Sequence, residues 1–156
     1  NLKSIISIVQ KGAGDIVGEL DFYIDPISGQ NNSFVKDFDG FKTSRAHSAD
    51  TNVDVEVQKV PVITLDSFYE NETKLPDFVK IDVEGFEWNV IQGFKQTIEK
   101  AKPNLMIEIQ SDEDKIINYF KGIGYVIYND KLESINSIED YKRKRSANIF
   151  FKWGQK

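Results

Sequence analysis

The sequence predicts an α/β domain built on a largely parallel sheet. Two observations carry that reading. Between residues 78 and 128, apolar runs of strand length alternate with stretches of helical periodicity in the order strand, helix, strand, helix, strand, and this alternation is the signature of parallel strands joined by crossover helices. The chain has 156 residues, 40% of them hydrophobic and 12% aromatic, which suffices for one sizeable core in a single domain over 1–156.

The elements follow in order. Ser4 to Lys11 reads as a strand, because Ile5, Ile6, Ile8 and Val9 form a β-branched run that stops at Gly12 and Gly14. Glu19 to Ile24 is a second strand of alternating character, ended by Asp25-Pro26. From Ile27 to Thr51 the pattern dissolves into polar residues with scattered Phe34, Phe38 and Phe41, too long for an idle connection and expected to be a lid or binding loop. Val53, Val55 and Val57 alternate with polar residues and continue through Val60 to Leu65 past Pro61. Proline favours an edge position, so this is expected to be an antiparallel addition.

Asp66 is placed to cap a short helix through Tyr69. Phe78 to Val83 is then a strand broken by Gly85, and Val90, Ile91, Phe94, Ile98 and Ala101 recur at helical spacing up to Pro103. Leu105 to Ile109 is a strand, and Ser111 with Asp114 resembles a capping box that opens a helix ending near Gly122. Tyr125 to Tyr128 is a strand, Ile138 to Lys144 a weakly patterned helix, and Ala147 to Trp153 a closing strand.

Composition excludes several classes. A net charge of −5 and a pI near 5.0 repel a phosphate backbone and argue against nucleic acid as a partner. The absence of cysteine removes disulfides, thiolate metal sites and thiol nucleophiles together, and is compatible with a cytoplasmic setting. No apolar run reaches the roughly 18 residues that span a bilayer. The single methionine is Met106, so the chain is expected to begin downstream of an initiator.

The strand FVKIDV at 78–83 is the anomaly, since a strand covered on both faces should be almost wholly apolar. Period two puts Phe78, Lys80 and Asp82 on one face, and Met106, Glu108 and Gln110 on one face of the neighbouring strand, so Lys80 and Glu108 can pair. A structural ion pair and a site role are both open for them. Asp82 and Glu84 lie where strand passes to helix, the position at which open α/β sheets bind ligands, and Gly85 permits the sharp turn. Helix capping alone would account for Glu84 and Glu87, and leads for Glu87.

The remaining features point less far. His47, the sole histidine, sits in a polar loop and reads as solvated. Lys142, Arg143, Lys144 and Arg145 form a basic run that reads as a solvated face before a contact for an anionic substrate. Phe34, Phe38 and Phe41 either close over a substrate or anchor the loop. There is no G-x-G-x-x-G, P-loop, H-E-x-x-H or G-x-S-x-G motif. Two carboxylates without further spaced ligands do not predict a metal.

In order along the chain, VPVITLDSF at 60–68, KIDVEGFE at 80–87 and KPNLMIEIQ at 102–110 resemble FkbM-type S-adenosylmethionine-dependent methyltransferases. The stretch 12–34 and ANIFFK at 147–152 resemble that family's upstream hairpin and closing strand. The resemblance implies a Rossmann-like class I methyltransferase sheet, mixed with an antiparallel C-terminal strand and an inserted β-hairpin. The family's first two strands, with its cofactor loop, are expected upstream of Asn1. The exposed edge of the KIDVEG strand is then expected to be covered by that upstream segment, by a rearranged sheet or by a partner such as a second copy.

The implied activity is methyl transfer from S-adenosylmethionine to a hydroxyl of a sugar, glycan or small natural product. The candidate assignments are Asp82 and Glu84 as catalytic, Asp82 and Gly85 as cofactor-binding, and Lys80, Glu108 and Phe34 as acceptor-binding. The alternative is a non-catalytic module that dimerises or docks through its open edge.

Overall fold

A computed structural model describes residues 5–48 and 54–154. The first half folds as β1 (Gly12–Ala13), β2 (Gly18–Ile24), α1 (Asp39–Ala46), β3 (Glu56–Ile63) and α2 (Leu65–Tyr69). The second half continues with β4 (Phe78–Ile81), α3 (Glu87–Gln92), α4 (Lys95–Ala101), β5 (Asn104–Ile107) and α5 (Glu113–Gly122), then β6 (Tyr125–Tyr128), β7 (Ser134–Ile135), α6 (Ile138–Lys144) and β8 (Ile149–Trp153). None of the described helices is long and apolar enough to cross a membrane.

Two sheets form. The larger has the order β4-β5-β8-β6-β7, with β4 and β5 parallel and β8 running antiparallel between β5 and β6. The alternation expected over 78–128 is therefore present, and the closing strand inserts in reverse. The smaller sheet, β1-β3-β2, pairs β2 antiparallel to β3 in the register Gly18↔Val62 to Ile24↔Glu56. Pro61 lies inside β3, which has strands on both sides, but β1 meets it only at Val62 and Ile63. Proline thus occupies a position where the β1 side is open, consistent with its missing donor.

Alternation in β5, β6 and β8 sends Leu105, Ile107, Tyr125, Ile127, Ile149 and Phe151 to one face, where all are buried. Against them pack Val90, Ile91 and Phe94, then Ile98, and Ile116, Ile117 and Phe120 of α5. The opposite face carries Phe78 at 56% exposure and Val126 at 39%. Among the described residues it has no helical cover comparable to that of the core face. Lys80 therefore stands on an open face of an edge strand, which removes the cost of a buried ammonium that a doubly covered strand would impose.

Three local expectations are corrected. Residues 6–10 form no strand, and Ile5, Ile6 and Ile8 are exposed; Ser4 lies outside the described residues. A β-branched run needs a paired neighbour to become a strand, and only Gly12 and Ala13 find one, on β3. Val53 also lies outside the described residues.

The helical stretch after Gly85 is two helices, broken at Gly93. The Gly93 carbonyl accepts the Asp66 backbone N–H at 2.8 Å, and a side chain at 93 would collide with the Gly14 carbonyl. The cap of α2 is Thr64, which accepts from Ser67 N at 3.1 Å. The Asp66 carboxylate instead accepts from Gln96 N at 3.1 Å and Thr97 N at 2.8 Å, satisfying the free N–H groups that open α4.

Candidate active site

The chain leaves β4 through Asp82 and Val83 and turns at Glu84 and Gly85, which have φ of 50° and 90°. A left-handed conformation at a glutamate is strained by roughly 1–2 kcal/mol, and the neighbouring contacts hold it. The Glu84 carbonyl accepts from Ser33 Oγ at 2.6 Å, and the Gly85 carbonyl accepts from Ser111 Oγ at 2.8 Å. Ser111 is thus not the cap of α5. That helix starts at Asp112 in a left-handed conformation without a side-chain cap, because the Ser111 hydroxyl is committed to Gly85.

Glu87 is fully buried and ties the ends of β4 and β5 together. One oxygen accepts from Gly85 N at 2.7 Å, and the other from Gln110 N at 3.4 Å and Ser111 N at 3.3 Å. Burial raises its pKa, while these backbone donors pull the other way. The structural role expected of Glu87 matches this arrangement, although it is a strap between two strand ends rather than a response to the helix dipole alone.

Above these ends lies a cleft of about 590 Å³. Its floor is Glu84, Gly85, Gln110 and Ser111, its far wall includes Arg145, and its roof comes from Asn31, Val35, Phe38, Gly40 and Thr43. The roof belongs to the 27–51 segment expected as a lid or binding loop, and a buried polar network holds it. Asp25 accepts from Ser28 Oγ and Ser44 Oγ at 2.5 Å each, and from Ile27 N at 3.0 Å. Asn31 Nδ2 donates to Ser44 Oγ at 2.6 Å and to the Gly40 carbonyl at 3.2 Å. A Cβ on Gly85 would stand 3.0 Å from Phe38 Cδ2, so the roof rests directly on the turn.

The Glu84 carboxylate accepts from Gln110 Nε2 at 3.0 Å. Partial burial raises its pKa above the ordinary glutamate value, and the charges of Asp82, Glu108 and Glu87 push the same way. A cavity of about 430 Å³ beside α2 and α4 is larger than a surface dimple, but its Asp66 carboxylate is already used in capping. The strand-end cleft is where the topology places chemistry.

The structure separates the remaining candidates. Asp82 is exposed and bonds Lys80 Nζ at 2.5 Å, and this pair raises the lysine pKa. Lys80 therefore bonds Asp82 rather than Glu108, whose charge acts on it only as a weaker influence in the same direction. Glu108 is half-buried, and its N–H continues the β4–β5 ladder by donating to the Ile81 carbonyl at 3.0 Å. The Phe34 ring sits between Phe22 and Phe86 at centroid distances of 4.8 and 5.2 Å. It anchors the loop, and Phe38 is the aromatic residue that lines the cleft.

Asn31 carries no sequence signal as a site residue, and Arg145 stands out only as the end of the basic run 142–145. Gln110 ends a strand beside KIDVEG, and that position was its only available signal. Among the described residues there is no cluster of three or more metal-ligating side chains.

The cleft lies at the carboxyl ends of two parallel strands of a mixed α/β sheet, floored by carboxylate and amide groups, where open α/β sheets bind ligands. The methyltransferase FkbM domain matches residues 2–127, and the chain belongs to that family. It is similar to the crystal structure of methyltransferase FkbM from Methylobacillus flagellatus KT, with 19% identity and a TM-score of 0.49 over 97% of this chain. The chain spans 29% of the length of that protein. No curated protein matches it.

Proposed function

We propose that this chain forms the acceptor side of an S-adenosylmethionine-dependent O-methyltransferase, with Glu84 orienting and deprotonating the acceptor hydroxyl. The observation that carries the reading is Glu84 itself, a carboxylate in the cleft floor whose pKa is raised by burial and by three neighbouring acids. A raised carboxylate is better matched to proton removal near neutrality than a solvated one. Gln110 fixes one Glu84 oxygen, so the other is the one offered to a hydroxyl proton.

The residues fit one end of the cofactor. Asp82 and Glu108, close enough to influence Glu84 through their charges, suit a sulfonium or ammonium cation, while Asp82 and Gly85 are the cofactor-side candidates. None of the described cavities is lined by Asp82, and the adenosine would need cover from beyond the open β4 edge. S-adenosylmethionine, when bound, supplies an electrophilic methyl group. For transfer of that methyl group, with the thioether as leaving group, Glu84 would take the proton of the acceptor hydroxyl and the roof would hold the acceptor in line. Neutral hydroxyls of sugars, glycans or small natural products fit the amide and carboxylate lining, while the acceptor candidates Lys80, Glu108 and Phe34 are not among the residues that line the cleft. A cytoplasmic setting belongs to the same reading.

The test is methyl transfer by a full-length protein carrying this domain. With cofactor binding measured by calorimetry, Glu84→Gln should reduce turnover by about 100-fold or more and leave cofactor affinity intact. Full turnover by that variant ends the assignment. The open β4 edge and the exposed Phe78 favour a second reading, a docking module. It is selected if the full-length protein fails to bind S-adenosylmethionine yet self-associates through this edge.

A further inference from the structure

The roof of the cleft has two sides. Phe38, 9% exposed, and Asp37 line both the strand-end cleft and a second groove of about 260 Å³. The charges differ across this ridge. On the cleft side the ionisable residues are Glu84, Asp37, Asp39 and Arg145. On the other side they are Lys36, Lys42, Arg45 and Asp37, with the Tyr23 hydroxyl. Three cations gathered about one groove stand out in a chain of net charge −5.

We propose that this second groove is an anion subsite of the acceptor site, holding a phosphate or carboxylate group carried by the acceptor; the word acceptor rests on the methyltransferase reading above. Arg45 is half-buried in the last turn of α1, and its planar fork can meet two anion oxygens at once. Lys36 is exposed on the segment leading to Phe38 and supplies a mobile point charge. Lys42 is tied to Asp39 at 2.7 Å, but both partners are largely exposed, and such a pair is weak enough for the lysine to swing to a bound anion. Val55, Val57 and Phe41 complete the walls and lower the local dielectric, which strengthens attraction for an anion. The groove is smaller than the roughly 300 Å³ at which pockets for whole small ligands begin. It suits one charged group of a larger molecule whose polyhydroxyl part crosses Phe38 to Glu84 and Gln110.

The test is a titration of this chain followed by backbone amide NMR, with inorganic phosphate, glucose 6-phosphate, glucuronate and glucose as probes. The proposal expects saturable shifts at Lys36, Lys42 and Arg45 with the three anions, and none there with glucose. Lys36→Gln combined with Arg45→Gln should weaken glucose 6-phosphate by about tenfold or more, as for lost charge-assisted contacts. Lys36→Gln alone should weaken it measurably, and Lys74→Gln should not. Equal binding of glucose, anion shifts unchanged in the double variant, or no saturation with any anion overturns the subsite. The experiment needs no cofactor. Anion binding without methyl transfer would refute the methyltransferase reading and keep the subsite, and the converse result would do the reverse.

Discussion

Glu87 Oε1 accepts the backbone N–H of Gly85 at 2.7 Å, two residues back along the chain, while Oε2 reaches the N–H groups of Gln110 and Ser111. One buried carboxylate thereby fixes the separation of Glu84 and Gln110 across the cleft floor. Glu87→Ala leaves three backbone donors in a part-buried site without their acceptor, and each such loss costs about 1 kcal/mol. Unfolding by urea should therefore show a loss of roughly 3 kcal/mol, with faster amide exchange at Gly85, Gln110 and Ser111. Glu87→Gln keeps one accepting oxygen and should lose less. Because the Glu87 charge raises the Glu84 pKa, this variant should also lower the Glu84 titration midpoint observed by carboxyl NMR.

The Asp66 carboxylate acts on α4 although its own residue lies in α2. Asp66→Ala should cost about 1 kcal/mol, the usual value of an N-cap, and should fray the first turn of α4 at Gln96 and Thr97. Asp66→Asn retains an accepting oxygen and should cost a few tenths at most. Hydrogen exchange at Thr97 N separates these outcomes from a change confined to α2, whose cap is Thr64.

Asp25 gives the roof a pH dependence. Its burial would raise the pKa, but hydrogen bonds from the Ser28 and Ser44 hydroxyls and from backbone N–H groups outweigh that and hold it below the usual aspartate value. A depressed folded-state pKa stabilises the fold above the unfolded-state value near 3.8, and this contribution disappears as pH falls through the folded pKa. The stability difference between the wild type and Asp25→Asn should be constant near neutrality. It should shrink in acid below the ordinary aspartate range, as thermal unfolding at stepped pH would read out.

Much of the fold was legible because burial on one face leaves a clear period. Tyr125–Tyr128 forms at the bounds its pattern indicates. The failures share a cause, which is that the deciding partner is distant in sequence. Ser111 looked like a cap because its local spacing was right, but Gly85, 26 residues away, takes the hydroxyl. Asp66 lost its local helix to Thr97, 31 residues on. Lys80 reads as buried only if its strand is covered on both faces, whereas its face of β4 is open. Glu84 and Gly85 were visible at a strand end, whereas Arg145, between α6 and β8, lines the cleft beside residues far from it in sequence, which no local pattern announces.

Gly85 joins the turn, the floor and the roof, so its substitution should report on all three. Its φ of 90° disfavours any residue with a Cβ, and that Cβ would meet Phe38 at 3.0 Å. Gly85→Ala should cost roughly 1–3 kcal/mol from backbone strain, and Phe38 must also give way, although Gly40 lies close against the opposite edge of its ring. Phe38 separates the carboxylate cleft from the cationic groove, so its displacement should perturb both. Ring resonances of Phe38, and of Phe41 at 5.8 Å in an edge contact, should shift in Gly85→Ala. Those of Phe120 and Phe151, packed at 4.3 Å deep in the sheet core, should not. Shifts spread evenly through the core would mean that the turn and the roof are not mechanically coupled in the way this packing requires.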